Sequence, residues 1–241
     1  MEPTKNFPTE IIELPSKGLL YPEGNPLSSG KIEMKYMTAK EEDILTNQAY
    51  IEKGIVLDKL LQSLIVSKVN YNDLVIGDKN AIMVAARVLG YGKDYSFEYE
   101  GLPYTVDLTQ IDNKPFEHSN KGVNEFNYTL PSTQANITYK VLTHGDEQKI
   151  QAELDGFKKI NKNNSPELST RLKYMITSVD GNRESKAIRE FVDNFLLARD
   201  ARSLRKHIKD TQPDVDLTFF PDGSDERVDI PIGVRFFWPD F

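Results

Sequence analysis

Two eleven-residue stretches of this chain share one skeleton: IEMKYMTAKEE at 32–42 and ITYKVLTHGDE at 137–147. Ile, Lys, Thr and Glu fall at identical offsets, Met37 stands opposite Leu142, and Glu41 stands opposite Asp146. Ile32, Met34 and Tyr36 alternate with Lys31, Glu33 and Lys35, which is the period of a half-buried strand. Thr38 with Glu41 three positions on forms a capping box, whose hydroxyl and carboxylate satisfy orphan N–H groups at a helix start. Thr143 with Asp146 and Glu147 takes the same place in the second copy. A strand that runs into a capped helix, twice, about 105 residues apart, predicts an α+β chain of two similar halves.

The surrounding sequence keeps this order. LPS at 14–16 precedes the first strand by 18 positions and LPS at 130–132 the second by 7, so the first copy carries an extra loop, YPEGNPLSSG. In the first half a helix is predicted from Thr38 to Gly54, and a second through Leu57, Leu60, Leu61, Leu64 and Ile65. A third covers AIMVAARVLG, with Asp78 as its N-cap and Gly90 and Gly92 marking its end. Tyr95, Phe97 and Tyr99 then alternate into a hairpin that turns at Gly101 and Pro103. In the second half helical signal resumes at Leu168, a turn falls at Gly181, and DLTFFPDGSDERVDIPI forms a closing hairpin. The expected division is an extended N-terminal arm, 1–13, a first α+β repeat, 14–125, and a second, 126–241, with an aromatic C-terminal strand.

The segment 184–209 poses a geometric problem. At about 100° per residue, Ile188, Phe191, Val192 and Phe195 share one helical face, and Leu197, Ala201, Leu204 and Ile208 share nearly the opposite one. One straight surface helix cannot bury both sets. Either it is sandwiched between two layers or it breaks near 197–201 and restarts.

Composition narrows the function classes. A chain that is 39% apolar, with 12 Phe and 11 Tyr, can bury a core, and 28% charged residues make an ordinary soluble surface. The formal charge of -7 argues against whole-chain affinity for nucleic acid, which is driven by cations displacing counterions. With no cysteine, disulfides, thiol nucleophiles and thiolate metal sites are excluded. MEPTKNFPTE carries neither the basic nor the apolar region of a secretory leader. No apolar run reaches the roughly 20 residues of a spanning helix, so a cytosolic protein without a membrane partner is expected.

No catalytic set emerges from the motifs. His118, His144 and His207 lie far apart without zinc-ligand spacing and are read as surface or capping residues. VIGDKN and GYGKD lack a phosphate-cradling pattern, DGNRE lacks the remaining ligands of a calcium loop, and Ser16 and Ser132 stand outside GxSxG. No enzyme activity, cofactor or metal is expected.

Two features point to binding instead. Arg199, Arg202 and Arg205, at three-residue spacing, head a basic face with Lys206 and Lys209. It is either a solvated face near a helix C-terminus or a site for an acidic partner, protein ahead of nucleic acid because no base-stacking aromatic is interleaved. The chain ends in FFWPDF, where Phe236, Phe237 and Trp238 either bury as the last strand of their own domain or anchor in a partner.

LPSKGLLYPEG, IEMKYMTAKEEDIL, LVIGDKNAIMVAARVLGYGKDYSFEY, FVDNFLLARDARSLRKHI and VDIPIGVRFFWP follow one another over most of the chain. In this order they resemble the baseplate hub and hub-assembly proteins of T-even-type contractile-tailed phages. The resemblance implies a non-enzymatic role in virion assembly. The chain would help build the central hub of the tail baseplate, as a retained subunit or as an assembly chaperone that leaves. Its partners would be other tail or baseplate hub proteins, met in the host cytoplasm during assembly or in the virion tail baseplate. The family pattern has short Cys pairs in its two hairpins. EYEGLPYTVDL and FFPDGSDERVDI hold none, so no metal-ribbon role carries over, and Pro103, Pro221 and Gly223 must set the turns unaided. The alternative from a different class is a nucleic-acid-binding regulator using the basic helix 199–209.

Overall fold

A computed structural model describes residues 8–160, 166–232 and 236–238. The fold is α+β, with small antiparallel sheets and eight α-helices among those residues. β1 (Thr9–Glu13) pairs antiparallel with β2 (Lys31–Lys35), so residues 9–13 of the expected arm are a strand. The rest of that arm, residues 1–7, lies outside the described residues. Ile32 and Met34 are buried, as their alternation predicts.

The helix expected from Thr38 to Gly54 is two helices, α1 (Ala39–Leu45) and α2 (Gln48–Glu52). Asn47 divides them, because its side-chain oxygen accepts from Tyr50 N–H and starts the chain afresh. α3 (Val56–Leu64) and α4 (Ile76–Tyr91) follow. α4 begins two residues before Asp78, which is therefore not its N-cap; the carboxylate turns inward and is fully buried. β3 (Asp94–Tyr99) and β4 (Leu102–Asp107) form the hairpin, turning through Glu100 and Gly101, both at positive φ.

In the second half β5 (Phe126–Thr129), β6 (Asn136–Tyr139) and β7 (Ile176–Val179) make one sheet in that order. Between β6 and β7 lie α5 (His144–Ile160) and α6 (Glu167–Met175), and after β7 come α7 (Ser185–Asn194) and α8 (Ala198–Thr211). The segment 184–209 thus breaks, at residues 195–197, rather than being sandwiched as one helix.

The halves share hydrogen bonds as well as order. Lys35 Nζ lies 2.8 Å from Glu41 Oε1 while Thr38 gives its N–H and hydroxyl to Glu41 Oε2. Lys140 Nζ lies 2.7 Å from Asp146 while Thr143 gives the same two donors to Asp146 Oδ2. Burial raises the pKa of Glu41, but the Lys35 ammonium and the Thr38 donors outweigh it and hold the carboxyl below its usual range. Each LPS loop also hangs on a buried aspartate, the third residue of its helix. Asp78 in α4 accepts from Ser16 N–H at 2.8 Å, and Asp200 in α8 accepts from Ser132 N–H at 2.8 Å. Both helices start from an extended residue, Val75 (φ -65°, ψ 149°) and Leu197 (φ -65°, ψ 146°).

A hairpin follows α8 as one follows α4, but here the chain crosses back to the first half. There the Pro213 carbonyl approaches Gly77 so closely that a Cβ would sit 1.8 Å from its oxygen. Val215 bridges Asn113, and β8 (Thr218–Phe219) pairs with β9 (Val228–Asp229). Phe219 meets Phe97 and Tyr99 edge-on, at 4.9 and 5.6 Å between centroids. The larger core therefore joins Leu14, Leu60, Ile82 and Tyr95 to Phe219, Ile230, Phe236 and Phe237, whereas Leu130, Ile137, Leu172 and Leu204 belong to a separate core. Residues 236–238 form no strand, and 233–235 and 239–241 lie outside the described residues.

Candidate protein-binding face on α8

α8 is fixed from inside and left open outside. Ala201, Leu204 and Ile208 bury one face. At the N-terminus Asp200 accepts from Ser132 N–H, and from both the N–H and the hydroxyl of Thr133 at 3.0 and 2.9 Å. Burial raises the pKa of Asp200, but these donors outweigh it and hold the carboxyl below its usual range. His207 stacks on Tyr128 at 4.4 Å, and the Tyr128 hydroxyl meets Ser203 Oγ at 2.7 Å.

On the opposite face Arg199, Arg202, Arg205, Lys206 and Lys209 are exposed, as the spacing predicts. They span an arc of about 120°. None is in an ion pair with a described residue; Arg205 only donates its Nε–H to the Ala201 carbonyl of its own helix. The break before α8 leaves Phe195 59% and Leu197 49% exposed in the residues that lead into the helix. Both were expected on buried faces; the residues between two helices follow neither helical phase, so those expectations fail. An exposed apolar pair at the start of a helix whose outer face carries five cations can bind an acidic protein surface by burying the former and pairing the latter.

The other candidate anchors are placed elsewhere. Phe236 and Phe237 are 0% and 2% exposed inside the chain's own first core, so their rings cannot enter a partner. Trp238 is half-buried and points its indole N–H at the Leu45 carbonyl, 3.3 Å away. For Phe236 and Phe237 the reading as partner anchors is corrected. Both rings fill the core of the first half, not that of their own, and Trp238 packs against it.

One polar cluster escaped the sequence reading, and it lies where the halves meet. His144 N–H donates to the Leu74 carbonyl and Ile76 N–H to the Leu142 carbonyl, at 2.8 and 3.0 Å. His144, read as a surface or capping residue, is 3% exposed. Its Nδ1 lies 3.2 Å from Lys79 Nζ, its Nε2 lies 3.1 Å from the Gln148 carboxamide, and its ring lies edge-on to Tyr71. Asp58 joins them, 2.6 Å from Lys79 Nζ and 3.0 Å from the Tyr71 hydroxyl. Burial first, then the Lys79 charge, lowers the pKa of His144, so the neutral ring accepts at Nδ1. A lowered pKa means a contribution to stability that is full above the unfolded value near 6.5 and is lost as pH falls toward the folded one. His144→Gln is expected to flatten the stability profile below about pH 6.5 by up to one proton. Urea unfolding at pH 7.5, 6.5 and 5.5 checks this; equal slopes would contradict it.

Among the described residues no three His, Asp or Glu side chains converge on a point a metal ion could occupy. No helix there is long and apolar enough to cross a membrane. In comparisons with known proteins, the chain matches no family model, no curated protein and no solved structure.

Proposed function

We propose that the chain works by protein–protein binding, as a baseplate hub subunit or hub-assembly factor of a contractile phage tail, with the outer face of α8 as its contact. The observation that carries the binding part is a helix face of five exposed cations that pair with no described residue, led into by the exposed Phe195 and Leu197. An exposed apolar pair near guanidinium groups in sequence suits an acidic protein surface better than a phosphate backbone, which offers nothing apolar to bury it. The tail-hub part rests on the sequence resemblance alone.

The test is affinity capture from phage-infected cells, with mass spectrometry of purified tails. Wild-type chain is expected to recover hub or tail-core proteins, and Arg199→Glu/Arg202→Glu/Arg205→Glu to recover at least about tenfold less without a change in Tm. Presence of the chain in tails marks a retained subunit; absence marks an assembly factor. Recovery of nuclease-releasable nucleic acid in place of tail proteins would overturn the reading in favour of a regulator.

A further inference from the structure

One edge of β1 pairs with no described residue, and the ladder fixes which backbone groups lie along it. Leu14 N–H donates to Gly30 O at 2.9 Å and Tyr36 N–H to Pro8 O at 3.3 Å. Hydrogen-bonded pairs alternate along an antiparallel ladder, so Glu10 and Ile12 also direct their backbone groups at β2. The N–H and C=O of Thr9, Ile11 and Glu13 therefore face away from it, and no described residue bonds to them. Protective devices are few on this edge: β1 contains no lysine, proline or bulge, and Ile11 is 67% exposed.

Beside that edge runs an open groove of about 460 Å³. Residues 10–13 form one side of its lining, and Leu108 and Ile111 contribute from the segment after β4. Ala81, Val84, Ala85 and Val88, at i, i+3, i+4 and i+7 on α4, add an apolar stripe whose two alanines leave room. Glu10, Glu13 and Asp112 also line the groove, and no Lys or Arg does. Glu13 meets Lys31 at 3.3 Å, but both side chains are more than half exposed, so that pair neutralises little.

We propose that this edge takes an extended segment of a partner protein by strand addition, one in which apolar residues alternate with Lys or Arg. Backbone bonds to Thr9, Ile11 and Glu13 hold the segment; its apolar side chains cover the α4 stripe, and its cations meet the three carboxylates. The site is separate from α8 and does not rest on the tail-hub reading.

The probe is a labelled nine-residue peptide of alternating lysine and valine, titrated by fluorescence polarisation against the full chain. Saturable binding is expected, with slowed amide exchange at Thr9, Ile11 and Glu13. Ile11→Pro deletes an N–H that bonds to no described residue, so it should weaken binding at least about fivefold and leave Tm unchanged. Glu10→Lys/Glu13→Lys should shift preference to a glutamate–valine peptide. No saturable binding, equal binding of the glutamate–valine peptide by wild type, or an undiminished Ile11→Pro titration would each overturn the proposal. So would a dimer of this chain that the peptide dissociates, since the occupant would then be a second copy. The α8 charge reversal leaves this titration unmoved, which separates failure here from failure of the assembly reading.

Discussion

Phe236→Ala is expected to lower stability by about 3–5 kcal/mol, the range for deleting a fully buried aromatic ring. The ring is 0% exposed and stands edge-on to Tyr95 and Phe237, at 5.0 and 5.1 Å between centroids. Tyr95 holds the same segment a second way, its hydroxyl donating to the Pro231 carbonyl at 2.8 Å. A cavity here opens in the first-half core although the mutated residue lies near the end of the chain. Ile232→Ala is the control, because that side chain is 38% exposed and its loss should stay under about 1 kcal/mol. Urea midpoints of the two variants decide the matter. If they agree, the C-terminal rings do not hold the first core.

That long return of the chain marks where sequence reading stops. The strand-to-helix unit was legible because its bonds are local: Thr38 and Glu41 lie three positions apart, as do Thr143 and Asp146. The basic face of α8 was legible for the same reason, since spacing along one helix fixes direction. Ser16 reaches Asp78 across 62 positions and Ser132 reaches Asp200 across 68, and no periodicity reports contacts so distant. Tyr95 and Pro231 are 136 apart, so the hydrophobicity of FFWPDF announced burial without saying where. Phe195 shows a different limit. Its exposure depends on which residue ends α7, and helix ends are the least determined part of a sequence pattern.

Asp78→Ala is expected to be as damaging as the loss of Phe236, at about 3–5 kcal/mol, because it leaves several buried donors without an acceptor. Asp78 accepts from the N–H and hydroxyl of Ser16 and from the Tyr21 hydroxyl at 2.5 Å, while the Tyr21 oxygen itself accepts from Val75 N–H. Burial pushes the carboxyl up despite these donors, and nearby Asp214 adds to the shift. A raised folded pKa gives stability that is full below the unfolded value near 3.9 and is lost as pH rises through the folded one. Asn does not ionise and keeps one acceptor oxygen, so the deficit of Asp78→Asn should be largest in acid and shrink as pH rises. At Asp200 the pKa is lowered, so its contribution is present above the unfolded value and is lost as pH falls. The deficit of Asp200→Asn should accordingly shrink in the other direction, toward acid. Two carboxylates at matching places in the two halves thus carry opposite pH signatures. The difference arises because burial outweighs the donors at Asp78, with Asp214 adding to the rise, whereas the Ser132 and Thr133 donors outweigh burial at Asp200. Unfolding series for both variants from about pH 2 to 8 separate the cases, and parallel profiles would show that the two aspartates share one environment after all.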